Sequence, residues 1–420
     1  MATKITPEFL QLDEQPMVDT SVDSVEFYEI KLSNPDTDRN PRFTVDYTDQ
    51  WVLPNEAYLQ MTGEIVKAAD DSSYAAADNV AFVNNGPLHL FERAIYKIDN
   101  QAVETIEKPG EASLVTSLVD YSDDYVNSMG EQLMIAKDTK DNDTADTNTG
   151  FVKRKALKKF DLCIPLSHIF GFARGVNKVF YGMTHAVELQ KATNLDNAIF
   201  RKNDVDAARV KLTGLSLWMP RVTPSPESSA KLLKFISGKK EMQAPFQQVK
   251  YFDKAFDNNT DITWDITQFS KTDRPRHVFV AFRKRDKENS QEQNNAIFDP
   301  CAVSDISLTV NGEIHPRFPY SVDFANSQVG RPYRDLLNYR GIDNKYDTGM
   351  LITKSDFLSR YPVYHFNLER MPEALNDSAS NIQLRARLNA AGNYRVHVTM
   401  LSDRDLTFTG DGKKMNVNLR

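Results

Sequence analysis

Seven histidines raise the first chemical question, because imidazoles can hold a metal ion or move a proton. They are His89, His168, His185, His277, His315, His365 and His397. None forms HxH, HxD or HExxH, the spacings that aim two ligands at one ion. His89 with Glu92 and His185 with Glu188 stand three apart, and on strands such pairs point to opposite faces. Cys163 and Cys301 lie in no CxxC or Cys/His cluster. They read as small buried hydrophobes in a reducing compartment, not as a disulfide framework or zinc module. Asp138, Asp141, Asp143 and Asp146 look superficially like a calcium loop, but the glycine at the sixth position and the closing glutamate are missing. There is no GxGxxG, GxxxxGK[ST] or GxSxG, and no Cys–His arrangement. The expectation is therefore no catalytic residue, no cofactor-binding residue, no metal ligand and no cofactor.

Two basic runs remain. Lys153, Arg154, Lys155, Lys158 and Lys159 form one; Arg283, Lys284, Arg285 and Lys287 form the other. Beside strands, such runs read as solvated ends, with contact to an acidic partner as the sharper alternative. The formal charge of −7 argues against a direct coat on nucleic acid, which is normally basic. Direct, sequence-specific nucleic-acid binding is not expected.

The elements that must position these residues are mostly strands. Ile262, Trp264 and Ile266 alternate with polar neighbours, as do Ile306, Leu308 and Val310, Leu384, Ala386 and Leu388, and Val396, Val398 and Met400. Period two places each apolar set on one face, as half-buried antiparallel strands require. Between Leu212 and Leu215 the phase slips at Thr213–Gly214, which reads as a β-bulge. Helices are few. One is expected over residues 111–129, ended by Gly130; a second opens on Ser225–Pro226–Glu227 and stops at Gly238; a third spans residues 332–340 before Gly341. Residues 138–150 (DTKDNDTADTNTG) and 287–295 (KENSQEQNN) read as exposed loops, the first expected on an outer surface.

At 420 residues, with 40% hydrophobic and 26% charged, the chain is long enough for two to three domains without disulfide or metal staples. No run of about 18 apolar residues occurs, so no helix is expected to span a membrane. Residues 1–20 are polar and acidic with no secretory pattern; they read as an arm, with residues 5–12 a short amphipathic segment or a tail.

The two halves share an order of elements. Each has a strand ending in a tight turn, at Asp99–Asn100 and at Asn311–Gly312. A short helix follows each turn. Then comes an apolar strand, at residues 160–172 and 361–368, and each half closes on an alternating strand, at residues 210–218 and 394–401. Two all-β units of this kind point to sandwiches or jelly rolls, divided near the linker at residues 222–229.

Residues 82–104 (FVNNGPLHLFERAIYKIDNQAVE) and 162–172 (LCIPLSHIFGF), with Ile164–Pro165–Leu166 at its centre and AVELQK at residues 186–191 beyond, resemble stretches of the double jelly-roll major capsid proteins of double-stranded DNA viruses. Residues 363–372, 381–388 and 394–412 are similar to that family's C-terminal stretches, so the shared order covers about residues 40–412. Residues 51–59 (WVLPNEAYL) look most like the Polinton (Maverick), adintovirus and virophage side. Ser167, His168 and Ile169 depart from the nucleocytoplasmic large DNA virus pattern, which leaves the subgroup open.

The resemblance implies an all-β fold of two consecutive eight-stranded antiparallel jelly rolls with short inserted helices. It implies an arm at residues 1–20, a first jelly roll at 21–222, a linker and short helix at 223–240, and a second jelly roll at 241–420. It further implies a non-enzymatic subunit of a virion capsid: a homotrimeric, pseudo-hexagonal capsomer that tiles an icosahedral shell beside neighbouring capsomers, penton and minor capsid proteins. The alternatives are a two-domain jelly-roll carbohydrate-binding or enzymatic protein and a transposon-encoded capsid relative.

Overall fold

The computed structural model describes residues 20–32, 40–46, 49–141, 147–269, 274–341, 349–369, 371, 380–410 and 414–419. The first half holds β1 (Val22–Ile30), β2 (Arg42–Asp46), β3 (Trp51–Val52), β4 (Tyr58–Lys67), β5 (Val80–Phe82), β6 (Phe91–Ile98) and β7 (Gln101–Glu107). After α1 (Pro109–Asp120), α2 (Asp123–Leu133) and α3 (Thr149–Lys155) come β8 (Lys159–Pro165), α4 (Leu166–Ile169), α5 (Gly171–Gly175), β9 (Phe180–Tyr181), β10 (Thr184–Lys191), β11 (Ile199–Arg201) and β12 (Ala208–Pro224). Helix α6 (Pro226–Ser237) leads into β13 (Glu241–Phe269), β14 (Arg274–Lys284), β15 (Val303–Val310) and β16 (Glu313–Ser321). The chain ends with α7 (Gly330–Tyr339), α8 (Lys354–Ser359), β17 (Tyr364–Asn367), β18 (Ser380–Gly410) and β19 (Met415–Leu419).

Hydrogen-bond pairing resolves these strands into two jelly rolls of the same design. In the first, one sheet runs β1–β12–β4–β8 and the facing sheet β2–β10–β6–β7, all antiparallel. In the second, β13 and β18 each serve both sheets. Their segments from Glu241 to Phe256 and from Tyr394 to Thr409 pair with each other, and β18 pairs on with β14 and β14 with β17. Their other ends, Asp261 to Phe269 and Ser380 to Arg387, pair likewise, and β18 continues to β15 and β15 to β16. Counting strands in chain order, both rolls read 1-8-3-6 in one sheet and 2-7-4-5 in the other.

Both predicted hairpin turns form. Asp99 and Asn100 have φ of 46° and 65°, and Asn311 and Gly312 have 49° and 94°, the positive values of a two-residue hairpin turn that follows strand twist. The alternation at Ile262, Trp264 and Ile266 is observed as burial, with Asp261, Thr263 and Asp265 exposed. Along β15, Ser307 and Thr309 are buried as well, because that strand is covered on both faces. The bulge falls where the phase slips: the register shifts between Leu212 and Gly214. Ser225 caps α6 by accepting from the Ser228 N–H, with Pro226 first in the helix, and Gly341 takes φ of 65° just past α7.

Two expectations are corrected. Residues 111–129 form not one helix but α1 and α2, because Ser122 turns the chain and caps a new helix through the Tyr125 N–H. Gly130 lies inside α2, where a Cβ would meet the Ile135 carbonyl at 2.4 Å; Met134, at φ of 51°, ends the helix. The apolar stretch at 160–172 is strand only as far as Pro165. Proline has no N–H for the ladder, and the chain there winds into α4 and α5, which bury Leu166, Ile169, Phe170 and Phe172.

Candidate functional site

The densest chemistry lies where the two jelly rolls meet. Helix α1 follows β7 and presents Glu111 to the second roll. There Arg283, at the end of the buried run of β14, offers its guanidinium in two parallel bonds: Nη1 to Oε1 at 2.6 Å and Nη2 to Oε2 at 2.8 Å. Both side chains are buried, and the guanidinium also lies 5.1 Å from the centroid of the Phe298 ring. Burial opposes ionisation of Glu111, but the Arg283 charge and hydrogen bonds overcome it and hold the carboxyl well below its ordinary range. Gly110, beside it, lets the helix close on His89, whose backbone N would stand 2.6 Å from an added Cβ.

Around this pair stand His397 and Tyr251, with the tyrosine OH 2.6 Å from His397 Nδ1. Burial, then the Arg283 charge, pushes His397 down to about 3. Asp253 accepts from Lys108 Nζ at 3.0 Å and is also bonded by Arg395, which reaches Glu288 as well. His89, Glu111, Tyr251, Arg283, Arg395 and His397 are among the residues lining a cavity of about 390 Å³ at this seam.

A second anchor is Glu104 on β7. Its Oε2 accepts from the Phe172 N–H of α5 at 2.9 Å, and its Oε1 from the Val249 N–H of β13 at 3.0 Å. One carboxyl thus joins backbone of both rolls. Burial pushes it up to about 7 despite these donors. Helix α5 lies so close to β13 that a Cβ on Gly171 would stand 1.8 Å from the Gln247 carbonyl oxygen.

A third anchor corrects the ends of the polar loop and part of the basic runs: Lys140, Asp141, Thr147 and Thr149 are exposed, but Asp138, Asn148 and Gly150 are buried. Asp138 and Arg154 are both fully buried and paired through Nη2, at 2.7 and 2.9 Å. Arg154 also donates to the carbonyls of Phe82 and Ala136. Asn294 and the Tyr361 hydroxyl of the second roll complete the contacts of Asp138. Lys137 next door reaches Asp356 at 2.9 Å. Lys158 is buried too, and Lys287 donates to Asp299 at 2.9 Å and Asp141 at 3.3 Å. The basic runs are thus not simply solvated ends: Arg154, Lys158, Arg283 and Lys287 turn inward to partners. Residues 287–295 are not a free loop either. Gln291 exchanges bonds with the N–H and carbonyl of Ala208 at 2.9 and 2.7 Å. Asp143 and Asp146, like residues 1–19, fall outside the described residues.

Six histidines are buried and His315 is half-buried; His277 and His365 touch, Nδ1 to Nε2 at 3.2 Å, and His89 and His397 line the cavity above. Three of them face tyrosines: Tyr96 with His185, Tyr121 with His168, and Tyr251 with His397. Among the described residues no group of three or more His, Cys, Asp or Glu could hold a metal ion, and no helix is long and apolar enough to cross a membrane. Cys163 is half-buried, Cys301 is buried, and both are free.

Residues 80–404 match the protein family described as the Double jelly roll-like domain. No curated protein matches the chain. Among solved structures, that of the Sputnik virophage superposes with a TM-score of 0.62 at 12% identity, covering 100% of this chain and 93% of the other. The mavirus major capsid protein gives 0.57 at 12% identity over 99% and 93%. The PBCV-1 virus capsid gives 0.58 at 8% identity over 97% and 99%. At such identities the likeness is one of fold, and the fold is that of viral major capsid proteins.

Proposed function

The chain belongs to the double jelly roll-like domain family, and from that premise we propose that it is a major capsid protein whose work is assembly rather than catalysis. Three copies form a pseudo-hexagonal capsomer, and capsomers tile an icosahedral shell in the virion, with penton and minor capsid proteins as further partners. We assign residues 1–20 to an arm, 21–222 to the first roll, 223–240 to a linker and short helix, and 241–420 to the second roll.

The observation that carries this reading is the repetition of one strand order, 1-8-3-6 over 2-7-4-5, in two rolls joined by the buried Glu111–Arg283 pair and by Lys137–Asp356. Each chain is then a rigid block with two similar outlines. Three such blocks in a closed ring present six similar sides, and a cyclic heterologous interface closes at a finite size. Obligate contacts of this kind bury roughly 2,000 Å² or more.

Light scattering on the purified protein is expected to give three times the chain mass, and negative-stain micrographs a hexagonal outline with threefold symmetry. A monomer that binds a glycan or a metal ion would overturn the proposal.

A further inference from the structure

Two strands are out of character with the rest of the fold. On β1 six of nine residues are exposed, including Val22, Val25 and Phe27, and only Ile30 is buried, although a jelly-roll strand ordinarily buries one face. On β16 the same is true: Ile314 is 45% exposed and Phe318 73%, the most exposed large hydrophobic side chain among the described residues. Each strand also lies at an edge, since among the described residues β1 pairs only with β12 and β16 only with β15. An exposed, apolar edge strand is a liability unless something covers it.

The two patches differ in chemistry. Register places Val25, Phe27 and Glu29 opposite Val222, Pro220 and Trp218, so they share the sheet's outer face with the Trp218 ring. Phe27 lies 5.6 Å from Tyr58, and Tyr58 stacks on Trp218 at 6.0 Å and 10°. The strand itself carries Asp23, Glu26 and Glu29 and no basic residue. Around Phe318 the β16 patch is basic: Arg317 is exposed on the strand and Arg331 of α7 is exposed beside it, while the strand's one acid, Glu313, stands at its far end. Arg331 braces the strand by donating to the Phe318 carbonyl at 3.0 Å and lying 5.3 Å from the Tyr320 ring.

We infer that β1 of one copy of this chain docks against β16 of the next copy, with Phe318 seated on the Phe27–Tyr58–Trp218 strip and Arg317 facing the acids of β1. The inference rests on the trimer reading above and gives it an address. Charge decides the partner. Two β1 strands face to face would set acids against acids, and two β16 strands arginine against arginine, each unfavourable. Pairing β1 with β16 matches the signs. It also uses a different patch on each side of the contact, which is what a closed ring of identical chains requires and a twofold dimer does not. Aromatic and arginine side chains at the centre suit the few residues that dominate an interface.

The test is light scattering across a dilution series on the full chain. Phe318→Asp and Arg317→Glu change exposed residues, so the folded monomer is expected to survive, as circular dichroism would verify. Each is expected to weaken the trimer roughly tenfold or more. Glu26→Arg with Glu29→Arg is expected to do the same, and combining it with Arg317→Glu to restore much of the loss. If both β16 variants form trimers at wild-type concentrations, the pairing is wrong and the trimer reading stands. If the wild-type chain is itself monomeric, both fall.

Discussion

Glu111 and Arg283 show why the inner chemistry of this protein is structural. Neither charge could stay buried alone, so each stabilises the fold only through the other. Glu111→Gln is expected to cost roughly 3–5 kcal/mol, because it leaves Arg283 charged and unmatched. The paired change Glu111→Leu with Arg283→Met is expected to cost much less than Glu111→Gln. Urea unfolding of the variants checks this, and a double variant worse than the single would contradict it. None of this pairing was legible in the sequence. Arg283 sits in a run of four basic residues within five positions, and Asp138 in a polar stretch; composition marks both as surface. What places them inside is contact between rolls more than a hundred residues apart, which no local pattern records.

The histidines give a pH dependence whose sign follows from burial. Burial is the largest cause of the shift in each of the four. His168, His365 and His397 are pushed down to about 3 and His185 to about 4. Above pH about 6.5 these groups are neutral in the folded and the unfolded chain alike. As pH falls through about 6.5, the unfolded state takes up protons that the folded state refuses, and stability declines down to about 3–4. Glu104 acts oppositely: raised to about 7 from 4.5, it costs stability as pH rises between those values. Four groups outweigh one, so the unfolding free energy is expected to fall between pH 6.5 and 4.5, by about 1.4 kcal/mol per pH unit for each unmatched proton. A flat urea midpoint over that range would refute this.

Elements were read better than residues because their signals are local. Period-two alternation, the two hairpin turns, the bulge at Gly214 and the Ser225 cap are each written within a few residues of where they act. The failures were also local in origin. Residues 111–129 have the spacing of one helix, and only the Ser122 cap divides it. The run at 160–172 is apolar throughout, and period cannot separate a buried strand from a buried short helix. Helix α5, which the sequence hid in that run, now carries the sharpest steric test. Gly171→Ala places a methyl 1.8 Å from the Gln247 carbonyl oxygen, so α5 must lift from β13 and the Glu104 bonds must stretch. The expected loss is about 3 kcal/mol or more, measurable by denaturant unfolding.

For the whole molecule, the likeness of the two rolls conceals one difference. In the second roll, β13 and β18 run unbroken for 29 and 31 residues, through both sheets. In the first, the same positions are divided among separate strands, β1 and β2, β10 and β12, with other segments between them. The consequence is mechanical. A load applied to one sheet of the second roll reaches the other along two unbroken strands, as in a bent beam. In the first roll no single described strand runs through both sheets, so the same load must cross between them through packed side chains. In the ring proposed above, rolls braced by unbroken strands would therefore alternate with rolls built from divided ones.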